Sequence, residues 1–203
     1  MEMDNLLNPM QQKAVEHHDG PLLIFAGAGS GKTRVLSHRI AHLIEAGVRP
    51  YHILAITFTN KAAKEMKERV MAATPAGGDC WVATFHSACV RILRRDIEAL
   101  GYGYTKNFSI YDTGDAERLI KDCIQELKLS EKYYPVRYVA NVISHQKNEL
   151  FNPYTFAKES AGDLMMSNIA EVYELYQQKL VSNNSLDFDD IIMRTVELFE
   201  KVP

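Results

Sequence analysis

The stretch AGAGSGKT, Ala26 to Thr33, limits the fold of this chain more than any other feature. It follows a short apolar run, PLLIF from Pro21 to Phe25, and precedes helical periodicity from Lys32 to Ala46 that Gly47 is placed to end. An apolar run, a glycine-rich turn and a helix in that order form the setting in which such a loop cradles phosphate. Glycines at 27, 29 and 31 free the backbone for conformations closed to other residues and bring successive N–H groups toward phosphate oxygens. The start of the next helix adds unpaired N–H groups and the positive end of its dipole. Lys32 then reaches the β and γ phosphates and the Thr33 hydroxyl helps to hold Mg²⁺. The expected nucleotide contacts are therefore Ala26, Gly27, Ala28, Gly29, Ser30, Gly31, Lys32 and Thr33. The usual motif opens with glycine, so Ala26 requires a turn that tolerates a small β-carbon. Kinases, transporters, GTPases and motors all use this loop, so it implies nucleotide binding without naming an activity.

The first half of the chain alternates short apolar runs with longer helical patterns, the signature of an α/β fold with parallel strands and crossover helices. Asn8 and Pro9 read as the cap and first residue of a helix, and Pro21 to Phe25 as a buried strand. Ile53 to Phe58 reads as a second strand, followed by a helix from about Lys61 to Ala73 with Asn60 as its cap. Trp81 to Thr84 gives a third strand, running into a helix from Ser87 to Leu100. From Gly101 the texture changes: GYGYTKN is turn-rich, and beyond FSIYD almost no strand pattern remains. Asp112 can cap a helix through Leu127, Pro135 can open one through Leu150, and Asp163 to Val181 and Phe188 to Lys201 read as two more. Tyr173, Leu175, Tyr176 and Leu180 read as core residues of the third of these.

A net charge of -3 argues against nucleic-acid binding by bulk positive charge, so any such contact has to be local. Two basic clusters are available, Lys61, Lys64, Lys67 and Arg69 after one strand and Arg91, Arg94 and Arg95 after another, and each also fits the solvated face of a helix. Cys80, Cys89 and Cys123 lack metal-ligand spacing and suit a reducing compartment. With no apolar run long enough for a bilayer and no basic leader ahead of one, the expectation is a cytoplasmic protein without a membrane partner.

Four further stretches narrow the activity. LNPMQQKAV from Leu7 to Val15, TFTNKAAKEM from Thr57 to Met66, TFHS from Thr84 to Ser87 and SLDFDDI from Ser185 to Ile191 occur in the order found in superfamily 1 DNA helicases of the PcrA/UvrD/Rep group. The chain resembles that family from Leu7 to Ile191. The resemblance implies ATP as the nucleotide, with Gln11 reading the adenine edge and Arg34 near the base and sugar. A glutamine amide donates and accepts together, which suits adenine. It also implies contact of Phe58, Asn60, Thr84 and His86 with single-stranded DNA; an aromatic ring at a strand end can stack on a base while polar groups hold the backbone. A core phenylalanine, a helix cap and a structural histidine would explain the same letters. Three carboxylates in SLDFDDI read as capping and packing at a helix start.

By the same resemblance the fold is an incomplete RecA-like P-loop NTPase sheet with an inserted, mostly α-helical subdomain. Residues 1–105 correspond to the first part of motor domain 1A, 106–184 to insertion 1B, and 185–203 to the start of the return to 1A. The family's acidic DExxD-type motif follows the position of Pro203, and its arginine-bearing second motor domain lies further on. The expectation is a piece of a longer 3′ to 5′ helicase, acting on single-stranded DNA and single-strand/duplex junctions, that binds ATP and Mg²⁺ but hydrolyses ATP poorly without the rest of its polypeptide. A strand missing beside the phosphate loop would leave an apolar flank uncovered. The competing readings are a non-helicase P-loop enzyme, which gives TFTNKAAKEM and TFHS no role, and a DNA-binding or interaction module without catalysis.

Overall fold

Asn8 opens the first helix as its letters require: its side-chain oxygen accepts from the backbone of Met10 and Gln11, and Pro9 occupies the first helical position. The computed structural model describes residues 7–202, and its contacts divide the chain into two compact units, 1–85 and 86–203. It is a mixed α/β structure, mostly helical among the described residues, with two small parallel sheets.

The first unit contains α1 (Pro9–Glu16), α2 (Lys32–Glu45), β1 (Leu54–Thr57), α3 (Asn60–Ala73) and β2 (Trp81–Thr84). β1 and β2 pair in parallel with Leu54 opposite Trp81 and Thr57 opposite Thr84, so both strands end level with each other. α3 is the crossover between them, and its cap is Thr59, whose hydroxyl accepts from the Ala62 amide; Asn60, expected as the cap, is the first helical residue. Behind the strands Ile40, Ile53, Ala55, Met66, Val70 and Cys80 form a buried cluster. The turn after α3 lies so close to Val70 that a β-carbon on Gly77 would stand 2.4 Å from its Cγ1, which leaves room only for glycine. A smaller cluster of Ala14, Val15 and Val35 joins α1 to α2.

The run 21–25 departs from expectation. It forms no strand, and Leu23 and Phe25 are 76% and 91% exposed. An apolar run becomes a strand only when a neighbour takes its backbone groups, and among the described residues β1 pairs with β2 alone. The sheet of this unit therefore has two strands where the apolar runs suggested three.

The second unit begins inside α4 (Phe85–Asp96), whose first residue Phe85 belongs to the first unit, and carries β3 (Ser109–Ile110), α5 (Thr113–Glu126), α6 (Val136–Asn148), α7 (Pro153–Glu159), α8 (Leu164–Ser182), β4 (Ser185–Leu186) and α9 (Phe188–Lys201). The texture change at Gly101 coincides with the left-handed residue that ends a short 3-10 turn after α4. Asp112, Asp163 and Asp187 cap α5, α8 and α9 through side-chain oxygens that accept backbone N–H groups. β3 pairs in parallel with β4, Ser109 opposite Ser185. Tyr173, Tyr176 and Leu180 of α8 lie in the main core with Ile124 and Val139, as their helical spacing suggests. Cys123 is buried there, and burial pushes its thiol up to about 11. The basic cluster of α4 is largely employed locally: Arg94 stacks 4.0 Å from the Phe108 ring centroid and donates to the Lys106 carbonyl, while Arg95 pairs with Asp96.

Within this core lies a charge cluster. The fully buried Lys147 ammonium donates to Asp187 at 2.7 Å and meets Asp190 at 2.9 Å. Tyr176 donates its hydroxyl to Asp187, and Gln177 donates its amide to Asp190 and to the Tyr104 hydroxyl. Burial opposes the Lys147 charge, but the two carboxylates outweigh burial and hold its ammonium above the ordinary lysine value.

Candidate functional site

The glycine loop begins where the exposed run ends. Gly29 and Gly31 have φ of 75° and 83°, a left-handed region costly for residues with a β-carbon. The Gly27 carbonyl organises the turn, accepting from the Ser30 amide at 3.3 Å, the Ser30 hydroxyl at 2.7 Å and Lys32 Nζ at 2.7 Å. Lys32 also donates to the Ala26 carbonyl at 3.0 Å, so the position that departs from the glycine consensus contributes its main chain. Gly31 caps α2 without a side-chain hydrogen bond, which leaves the first N–H groups of that helix to meet another acceptor. Thr33, in the first turn, is exposed.

Gln11 is brought to this loop by α1. Its Oε1 accepts from the Asn8 amide at 2.8 Å, completing a capping box, and its Nε2 donates to the Ser30 carbonyl at 3.0 Å. A β-carbon on Gly31 would come within 3.2 Å of that nitrogen, so loop and glutamine are fitted to each other. A glutamine amide has two donors and two acceptor lone pairs, and one of each is left after these contacts. Two concavities flank the loop. One of about 290 Å³ has Gly29, Gly31, Lys32, Thr33, Arg34 and Arg69 in its wall; the other, of about 700 Å³, lies between α1 and the run 22–25 with Gln11 and Lys32 at its edge. Arg69 comes from α3, and its sequence position alone did not connect it with the loop.

The level ends of β1 and β2 bring Phe58 and Phe85 together. Their ring centroids are 5.7 Å apart, tilted by 46°, and they are 89% and 46% exposed. Two large rings exposed side by side make an apolar patch of the kind that marks a binding surface, and ligands of parallel α/β sheets bind outside the carboxyl ends of the strands. Phe58 and Asn60, both named from the sequence, are exposed here. Thr84 is 8% exposed within its strand. In the second unit His86 is exposed and packs edge-on against Phe188 at 6.0 Å. Phe85 was not singled out; the signal that finds it is the register of Thr57 on Thr84, which single-strand reading does not supply.

A family model described as the UvrD/REP helicase N-terminal domain matches residues 7–203. Among curated relatives, ATP-dependent DNA helicase PcrA of Bacillus subtilis strain 168 is 55% identical over 97% of this chain and 26% of its own length. The PcrA helicases of Leuconostoc citreum and Staphylococcus aureus strain Mu50 are 49% and 50% identical over 99% and 98% of the chain, each along 27% of the relative. The chain thus spans about a quarter of the length of these relatives. A match that takes in the Gln11 helix, the glycine loop and both strand ends, at about half identity overall, leaves one assignment: the chain belongs to the UvrD/REP helicase N-terminal domain family.

Proposed function

We propose that this chain is the ATP-binding portion of an ATP-dependent DNA helicase that moves 3′ to 5′ on single-stranded DNA and unwinds duplex. The observation that carries this reading is the loop at the head of α2, where Lys32 and two left-handed glycines stand beside the Gln11 amide. In nucleotide binding Lys32 exchanges the Ala26 and Gly27 carbonyls for β and γ phosphate oxygens, and the loop N–H groups complete the cradle. Thr33 would hold Mg²⁺ through its hydroxyl, and the ion would supply neutralisation of phosphate charge. The remaining donor and acceptor of Gln11 read adenine, Arg34 lies near the base and sugar, and Arg69, from the wall of the same concavity, flanks the phosphates.

Single-stranded DNA lies across the strand ends of the first unit, with bases on the Phe58 and Phe85 rings and backbone held at Asn60 and the main chain of Thr84; His86, in the second unit, is a further contact to the DNA backbone. The first 105 residues form the start of a RecA-like motor domain, 106–184 an insertion that meets the duplex at a junction, and 185–203 the return to the motor. The rest of a longer polypeptide supplies the acid that activates water, the arginines that stabilise phosphoryl transfer and a strand covering residues 22–25. The protein acts in the cytoplasm; no helix among the described residues is long and apolar enough to cross a membrane.

The test is ATP hydrolysis with and without single-stranded DNA, on this chain and on the full-length polypeptide. DNA-stimulated turnover confined to the full-length protein and lost in Lys32→Ala is expected. DNA binding without any ATPase in the full-length protein would turn the assignment into a non-catalytic binding module.

A further inference from the structure

The far end of the α1–α2 pair holds two histidines whose arrangement has no part in nucleotide binding. His18 follows α1 and His42 lies in the last turn of α2, and their Nε2 atoms are 3.1 Å apart. The ring centroids are 5.0 Å apart and the planes tilted by 58°, so both rings turn their Nε2 edges toward the same small space. Two imidazole nitrogens on one tetrahedral zinc stand about 3.3 Å apart, given Zn–N bonds of about 2.0–2.1 Å. The backbone that carries His18 is held in place: Arg39 of α2 donates to the Ala14 carbonyl at 2.8 Å and to the His17 carbonyl. His42 lies in the last turn of α2, so both histidines rise from backbone that is held in place.

We propose that His18 and His42 form a binding site for a divalent transition-metal cation of the zinc class, linking the end of α1 to the last turn of α2. Imidazole is a preferred ligand of Zn²⁺, Ni²⁺ and Cu²⁺. No group of three or more His, Cys, Asp or Glu among the described residues is arranged to hold a metal ion, so the remaining positions of the ion go to water and the site exchanges its metal. The ion bridges the two helices that carry Gln11 and Lys32, and binding to the folded form raises the stability of that unit by mass action.

Isothermal titration and thermal melting with ZnCl₂, repeated with NiCl₂, test this on the whole chain. One ion per chain is expected, with affinity about tenfold or more weaker in His18→Ala and in His42→Ala alike, since direct ligands matter at least as much as their outer-shell supports. His38→Ala, whose ring contacts the Arg34 carbonyl, should bind as the parent does. No binding of either metal, or binding no tighter than in the His18→Ala, His42→Ala double variant, would overturn the proposal. So would binding that survives the double variant, follows the cysteines, or is lost in only one of the two histidine variants.

Discussion

Lys147 and Asp190 meet at 2.9 Å with neither side chain reaching solvent. Asp187 lies on the other side of the ammonium, so the C-terminal part of α6 is pinned to the start of α9 across about forty residues of sequence. Removing one partner strands a buried charge, and Lys147→Ala should cost about 3–5 kcal/mol. Lys147→Met fills the space without the charge but leaves two carboxylates facing each other, and should fall between parent and alanine variant. Urea unfolding of the three proteins checks the order.

The two carboxylates of this cluster titrate with opposite signs. Burial alone would raise Asp187, but the Lys147 ammonium, the Asp190 amide and the Tyr176 hydroxyl hold its carboxyl below the ordinary range. Its contribution to stability is therefore complete above the unfolded carboxylate value, about 3.9, and is lost as pH falls through the lower folded value. Burial and the Asp187 charge raise Asp190, so the folded chain takes up that proton before the unfolded chain does, and protonation there favours folding. Urea midpoints measured from neutral pH down to about pH 3 should show Asp187→Asn costing more at neutrality than Asp190→Asn, and flattening the fall below about pH 4.

Phe58 and Phe85 form one exposed aromatic platform at the ends of β1 and β2. If bases stack there, Phe58→Ala should weaken oligo-dT binding by about 1–3 kcal/mol, and Phe85→Ala by a smaller amount in line with its lower exposure. Fluorescence anisotropy at fixed salt reads both. Unchanged affinity in the two variants would remove the platform from the DNA path.

Leu23 and Phe25 place two large side chains in water on a run without strand partners. Such a surface promotes self-association. Leu23→Ser with Phe25→Ser should lower the sedimentation-detected association of the chain while leaving its melting temperature within a few degrees, because neither side chain is buried here.

The helices were largely legible in the sequence because their signals are local. Asn8 with Pro9, Asp112, Asp163 and Asp187 each start a helix where the letters predict, and Phe188–Lys201 runs over the expected span. α7 was missed although Asn152 and Pro153 repeat the Asn8 and Pro9 signal. The failures concern pairing. Apolar letters at 21–25 cannot say whether a neighbouring strand takes their backbone groups; β3 falls inside the FSIYD pattern read from the sequence, whereas its two-residue partner β4 carries too little periodicity to be seen. The glycine loop was readable because its chemistry sits in eight consecutive residues. Arg69 and Phe85 reach the site through the crossover and the strand register, and Lys147 lies forty positions from the nearer of its two acids, so single-chain spacing is silent on all three.

The most direct measurement is the equilibrium binding of a fluorescent ATP analogue with Mg²⁺ to this chain, compared with Lys32→Ala and with Gly31→Val, whose side chain would crowd Gln11 at a left-handed position. Saturable binding by the parent, weakened about a hundredfold or more in Lys32→Ala through loss of charge-assisted contacts to phosphate, is the expected result. Equal binding by all three proteins, or none by the parent, would contradict a phosphate cradle at Gly29 to Thr33.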